Sequence, residues 1–228
     1  MKRQVILDTE TTGLSPLKGD RVIEIGLLEL LNRRPSGRNL QLYFNPDRMV
    51  DAGALKVHGI SNEFLQDKPR FYEKVEEIMA FLQGAELIIH NAEFDLGFLD
   101  YELSLLRRNP YGVIRDHCEV VDTLELARKM HPGQRNSLDA LCKRYEINNQ
   151  HRELHGALLD AEILAQVYLA MTGGQEQLFA ESEPSTHHKA ESPQLLNQLQ
   201  ASYDLPLVIA SPEELALHQA YLERLAML

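Results

Sequence analysis

Three apolar, β-favouring residues, Val5-Ile6-Leu7, run directly into Asp8-Thr9-Glu10-Thr11-Thr12-Gly13. A short run that is apolar on both faces reads as a strand buried inside a sheet, and Thr12-Gly13 punctuates its end. Residues two apart on a strand share a face, so Asp8 and Glu10 project together at its carboxyl end. Neighbouring carboxylates resist ionising together unless positive charge neutralises both. The usual partner is a hard divalent cation with oxygen ligands, Mg²⁺ or Mn²⁺. An isolated Asp-x-Glu is more often a solvated acidic turn, so the reading rests on partners elsewhere in the chain.

The order of elements around this strand sets the fold class. Residues 21–31 predict a second strand and residues 38–44 a third, with residues 32–37 as the hairpin connection, which makes an antiparallel start. A helical stretch ends in Val57-His58-Gly59-Ile60, and an amphipathic helix follows from Phe71 to Leu82. Residues 86–90 form a fourth strand, leading into Asn91-Ala92-Glu93-Phe94-Asp95 and a helix to about Arg107. Glu119 to Asp122 reads as a fifth strand. Helices are predicted at residues 123–130, at 137–145 with Ser137 as N-cap, and at 156–171. Strands first, then strands alternating with helices, give an α/β fold with a mixed five-stranded sheet flanked by helices.

The 228 residues carry a net charge of -11. Residues 1–172 hold 21 Lys/Arg and 26 Asp/Glu, a balance of -5, whereas residues 173–228 hold 2 and 8, a balance of -6. A broad basic surface for gripping nucleic acid is therefore excluded, but an enzyme that holds one strand end through metal ions is not. Arg107-Arg108, Arg128-Lys129 and Lys143-Arg144 read as solvated helix ends, where cations are favoured anyway. Cys118 and Cys142 make no framework of pairs, and the start of the chain shows no leader, so a cytoplasmic protein without a membrane anchor is expected.

Two more acidic positions sit where a metal site needs them. Asp95 follows a strand end at the start of a helix. Asp160 lies in the second turn of the helix that His155-Gly156-Ala157 introduces. Five residues apart, His155 and Asp160 cannot share a helix face, being about 140° apart. His155 must reach the site from the preceding loop while Asp160 is fixed on the helix, which suits a movable base beside a rigid ligand.

Taken together, Asp8-x-Glu10 with Thr11-Thr12-Gly13, His90-Asn91-Ala92-x-Phe94-Asp95, and His155-x-Ala157-x-x-Asp160-Ala161 resemble the DEDDh (DnaQ-like) family of 3′→5′ exonucleases. The resemblance implies a ribonuclease H-like fold in a nuclease domain of residues 1–173. It implies that Asp8, Glu10, Asp95 and Asp160 hold two divalent ions, Mg²⁺ or Mn²⁺, with His155 as the catalytic base. Substrate contacts are implied for Asp8, Glu10 and Asp160 themselves and for Thr9, Thr11, Leu14, His58, Asn91 and Phe94. Phe94 also has the helical spacing to Phe98 that core packing would give, and His90 reads as a site wall.

Beyond Gly173 the composition turns polar, and residues 174–193 read as a flexible linker. Within it, Gln175-Glu176-Gln177-Leu178-Phe179 resembles the peptide by which replication proteins dock in the bacterial sliding clamp. Gln175, Leu178 and Phe179 would be the anchors. Residues 194–228 hold a helix opened by Ser211-Pro212-Glu213-Glu214, a capping box. Its apolar face is too large for so short a piece to bury alone. The same resemblance implies that this segment binds a polymerase (alpha) subunit, and leaves room for a small theta-type subunit on the nuclease. The expected substrate is a single-stranded DNA 3′ end. Two other readings stay open on the sequence: an RNA 3′ exonuclease, and an adaptor with a silent nuclease fold.

Overall fold

The computed structural model describes residues 2–149 and 154–179, with side chains through Gly173. Strand β1 (Arg3–Thr11) stands at the centre of a five-stranded sheet ordered β3-β2-β1-β4-β5. β2 (Val22–Leu31) pairs antiparallel with β1, and β3 (Arg34–Tyr43) pairs antiparallel with β2. β4 (Glu86–Ile89) lies parallel to β1, and β5 (Glu119–Asp122) lies parallel to β4. The sheet is thus mixed, as the element order predicts.

Helices α1 (Ala52–His58), α2 (Asn62–Leu65), α3 (Phe71–Leu82) and α4 (Ala92–Ser104) fall between β3 and β5. Helices α5 (Thr123–Met130), α6 (Leu138–Arg144) and α7 (Ala157–Phe179) follow. Alternation along β1 divides the core. Val5 and Leu7 are wholly buried against residues of α3 and α4, among them Ile78, Leu82, Leu96 and Leu99. Ile6 faces the other way, into a layer with Leu141 of α6 and Leu164 and Val167 of α7. A central strand covered on both faces is apolar on both, as this one is from Val5 to Leu7.

The pairing of β1 with β2 runs to Thr11, so Asp8 and Glu10 sit on strand backbone held from one side by β2, and the strand ends where Thr12-Gly13 marks it. Three other segments depart more clearly from the sequence reading. The hairpin between β2 and β3 is the two-residue turn Asn32-Arg33, both with positive φ (49° and 65°). Turns of this shape follow the twist of the flanking strands. Pro35 and Gly37, which look like turn residues, lie in β3, an edge strand where a missing N–H donor is tolerated. α4 ends at Ser104, whose hydroxyl donates to the Tyr101 carbonyl at 2.6 Å, rather than running to Arg107. Lastly, α7 continues through Gly173-Gly174 to Phe179, where the sequence reading ends the helix at about residue 171 and starts a flexible linker at 174. The rest of that linker and residues 194–228 lie outside the described residues.

Candidate active site

The sheet brings its chemistry to the end of β1. Asp8 and Glu10 emerge on the face that α7 covers. A ligand atom from each of Glu10, His155 and Asp160 lies within 4.8 Å of the others. Asp160, on the second turn of α7, is 3% exposed, and its backbone N–H donates to the Gly156 carbonyl at 2.8 Å. His155, from the loop before α7, places Nδ1 3.2 Å from Asp160 Oδ2. Its side chain is 40% exposed, against 4% for that of Asp160.

Two glycines make this approach possible. Gly26 of β2 is the register partner of Asp8. A Cβ there would sit 2.3 Å from the Ala157 carbonyl carbon and the Leu158 nitrogen, so the first turn of α7 rests on bare strand backbone. Gly59, with φ at +71°, closes α1 and leaves the space that Leu154 fills, a Cβ there falling 2.5 Å from Leu154 Cδ1. The His155 N–H donates to the Val57 carbonyl at 3.1 Å. The Val57-His58-Gly59 segment therefore anchors the loop that carries His155.

Asp95 reaches the same strand end from the other face. It is 3% exposed in the first turn of α4 and accepts a hydrogen bond from the Thr9 hydroxyl at 2.7 Å. Burial pushes its carboxyl up to about 7, opposed by the Thr9 hydroxyl and by backbone N–H groups, and reinforced by the nearby Asp122 charge. A carboxylate sealed away from water at this energetic cost is prepared for a cation.

Among the described residues, the close cluster of ligand atoms comprises Glu10, His155 and Asp160, with Asp8 beside it on the same strand face and Asp95 opposite. Four carboxylates on strand and helices, with one imidazole on the adjoining loop, are a suitable donor set for a divalent ion with oxygen ligands.

The expected substrate contacts divide into two groups. His58 is buried; its Nδ1 accepts the Ile60 N–H at 3.0 Å, while Nε2 lies near the Thr11 backbone with its hydrogen bond unsatisfied. Burial lowers its pKa, against the Thr11 backbone, which favours the charged form, and with a smaller push from the neighbouring His155. Leu14 is 85% exposed at the rim, and the Asn91 side chain is exposed with the backbone in the left-handed region (φ 67°). In contrast, the Thr9 hydroxyl is committed to Asp95, and the Thr11 hydroxyl donates to the Gly13 carbonyl at 2.6 Å. Phe94 packs on Phe98 at 5.0 Å between ring centroids, at the edge of the core. The alternation of β1 turns the two threonine side chains toward α4, and the helical spacing of α4 sets Phe94 against Phe98; these three shape the site from behind.

Two residues at this edge escape sequence reasoning. Gly26 carries no signal beyond a glycine inside a strand, which suggests a close approach but not its partner. Asp122 looks like an ordinary N-cap for α5, accepting the Leu124 N–H at 2.8 Å. It also accepts the Asn91 and Ala92 N–H groups at 3.2 and 3.0 Å, so one carboxylate caps α4 and α5 together. His90 is tied into this corner, its Nδ1 3.0 Å from the Thr123 hydroxyl, which in turn donates to the Ile89 carbonyl.

Comparison with known proteins places these features in context. Residues 5–168 match the RNase_T exonuclease family. The chain is 51% identical to the DNA polymerase III subunit epsilon of Escherichia coli (strain K12), over 97% of this chain and 92% of that protein. It is 48% identical to the subunit of that name from Haemophilus influenzae, over 99% of this chain and 90% of that one. Among solved structures it resembles exonuclease X in complex with 5′-overhanging duplex DNA, with a TM-score of 0.58 and 27% identity. That match covers 77% of this chain and 93% of the other. Exonuclease I shares the fold at a TM-score of 0.67 and 18% identity, over 79% of this chain and 43% of that one.

Proposed function

Because the chain belongs to the exonuclease family, in its DNA polymerase III epsilon branch, we propose that the cluster at the end of β1 is the hydrolytic centre of a replication proofreader. The protein is a 3′→5′ exonuclease that removes mispaired nucleotides from the 3′ end of DNA. The observation that carries the assignment of the site is the convergence of Glu10, His155 and Asp160 within 4.8 Å, from a strand, a loop and a helix.

Enzymes of this family depend on divalent metal. In our reading Asp8, Glu10 and Asp160 hold two ions, Mg²⁺ or Mn²⁺, with Asp95 completing the set. Such a pair stabilises the attacking and leaving oxygens of an in-line displacement. The chain supplies the remainder. His155 is the base: with Nδ1 turned to Asp160, its Nε2 is the nitrogen that takes the proton of the attacking water, and partial exposure lets it pass the proton to solvent. His58 donates Nε2–H to the terminal nucleotide, satisfying a group that is otherwise unpaired. Leu14 packs against the terminal base from the rim, and Asn91 contacts the strand from the opposite side.

The partners follow from the same branch. The substrate is a single-stranded 3′ end of DNA. The DNA polymerase III alpha subunit is held through residues 194–228, the sliding clamp through Gln175, Leu178 and Phe179, and a small theta-type subunit on the nuclease domain completes the set. These belong to a cytoplasmic replication assembly; among the described residues no helix is long and apolar enough to cross a membrane. The helical state of residues 174–179 is compatible with docking as an extended peptide. Each of Gly173 and Gly174 costs a helix about 1 kcal/mol relative to Ala, so the end of α7 unwinds readily.

The test is degradation of a mispaired primer–template and of a matched single-stranded RNA, with Mg²⁺, with EDTA, and with Asp8→Ala. The expected result is metal-dependent release of deoxynucleoside monophosphates, lost in Asp8→Ala and faster than release from RNA. Faster digestion of RNA would reassign the substrate, and no cleavage of either would leave only an adaptor.

A further inference from the structure

Beside the hydrolytic centre, a groove of about 580 Å³ opens between the end of β4 and the turn that joins α5 to α6. His90 and Asn91 line one wall, Arg128 of α5 another, and Gln134 and Arg135 of the turn a third. Its position is set by the sheet. His90 and Asn91 leave β4 at its carboxyl end, β4 is the parallel neighbour of β1, and Asp95 lies one helical turn beyond Asn91. In sheets of this kind the crevice outside the carboxyl ends of the parallel strands is where ligands bind.

Two exposed cations, Arg128 and Arg135, line the groove. In a chain of net charge -11, most arginines near the sheet are spoken for. Arg3 and Arg38 pair with Glu29, Arg21 with Glu102, Arg48 with Asp20, and Arg70 with Asp47. Arg144 is also committed: it donates to Asn136 Oδ1 at 3.1 Å, Gln134 Oε1 at 3.0 Å and the Arg135 carbonyl at 2.9 Å. That clip fixes the turn as a rigid wall instead of leaving a solvated helix end. Arg128 and Arg135 are exposed, and their guanidinium groups make no ion pair or hydrogen bond with the described residues. Two free cations on a prebuilt wall, with no Phe, Tyr or Trp in the lining, suit an anionic backbone and not stacked bases.

We propose that this groove binds the phosphate backbone of the substrate strand upstream of the scissile bond, with Arg128 and Arg135 as its two cationic contacts. The proposal rests on the exonuclease reading above and extends it, since a strand held by backbone alone is held whatever its sequence. It also replaces the sequence-based view of Arg128 as a solvated helix end.

The test compares the full-length protein with Arg128→Ala/Arg135→Ala on a DNA dinucleotide and on a single strand of about ten nucleotides. For the longer strand the expected result is a rise in KM of about tenfold at unchanged kcat. The slope of log affinity against log salt should flatten by roughly 0.7 for each arginine removed. The dinucleotide, too short to reach the groove, should keep its KM, and Arg128→Lys/Arg135→Lys should restore most of the affinity because the charges return. Unchanged KM on the longer strand would overturn the proposal, as would an equal loss on the dinucleotide or a fall in kcat alone. The exonuclease assignment survives each of these; only failure of the unaltered protein to release nucleotides removes both.

Discussion

Asp95 and His155 reach the same end of β1 from opposite faces, and they are held in opposite ways. Asp95 is sealed, 3% exposed, fixed by the Thr9 hydroxyl and carried on the first turn of a helix whose start Asp122 caps. The His155 side chain is 40% exposed, on a loop tied to α1 through the His155 N–H and the Val57 carbonyl and to α7 through Asp160. In the roles proposed for them, the difference teaches how one site would serve two needs. A ligand must hold its geometry and surrender its proton to a cation, so it is buried where its charge is costly alone. A base must exchange protons with water every cycle, so it stays wet and free to adjust.

The comparison breaks most visibly in paired substitutions. Asp95→Asn and His155→Ala should both abolish most activity, the first by about 10³-fold and the second by about 10²–10⁴-fold. They should part company in stability. With its carboxyl at about 7, against an ordinary 3.8, folded Asp95 keeps a proton that the unfolded chain releases. Its contribution is therefore fully present below about pH 4 and lost as pH rises through 7. Asn mimics the protonated form, so Asp95→Asn should raise the melting temperature of the metal-free protein at pH 8 and leave it unchanged at pH 4. His155→Ala should show no such pH-dependent gain. Equal melting curves for Asp95→Asn and wild type at pH 8 would sink the account of Asp95.

Gly26→Ala sharpens the contrast by disturbing one face only. A Cβ 2.3 Å from backbone atoms of Ala157 and Leu158 has to push the first turn of α7 outward. Overpacking of this kind costs about 1–3 kcal/mol. It should lower kcat by displacing Asp160 and His155, while the Thr9–Asp95 hydrogen bond, on the far face, persists. Thermal melts and a crystal structure of the variant would check both halves.

The smallest effect is expected from Thr9→Val, which removes the hydroxyl that favours ionised Asp95. At limiting Mg²⁺ the acid limb of the pH–rate profile should move to higher pH, and added Mg²⁺ should move it back by mass action. An acid limb that stays in place would mean that Asp95 does not govern it.

What could be read in advance followed from local rules. Val5-Ile6-Leu7 ending in Asp8-x-Glu10 marks the central strand, and residues 71–82 and 119–122 agree with α3 and β5 to the residue. The convergence of Glu10, His155 and Asp160 was legible because the chemistry of a metal cluster restricts residue type. The Thr9–Asp95 hydrogen bond was not legible, because a hydroxyl beside a metal strand looks the same from either face; only the pleat turns it to Asp95. Gly26, Asp122 and the Arg144 clip were illegible because each acts on a segment distant in sequence. The extent of α7 was missed because Gly173-Gly174 reads as a stop, whereas a helix packed along the sheet carries through two glycines when nothing forces an end.

That continuous helix has a consequence for reach. Asp160 and Phe179 ride on one rod with a rise of 1.5 Å per residue, which sets them about 28 Å apart along its axis. An extended residue spans up to about 3.3 Å, so unwinding residues 174–179 lets out about 11 Å more chain. Under the docking proposed for Gln175, Leu178 and Phe179, the end of α7 is thus a measured length of line: wound, it would fix how near the nuclease is drawn to its partner, and unwound, it would add the slack for a 3′ terminus to travel between active centres.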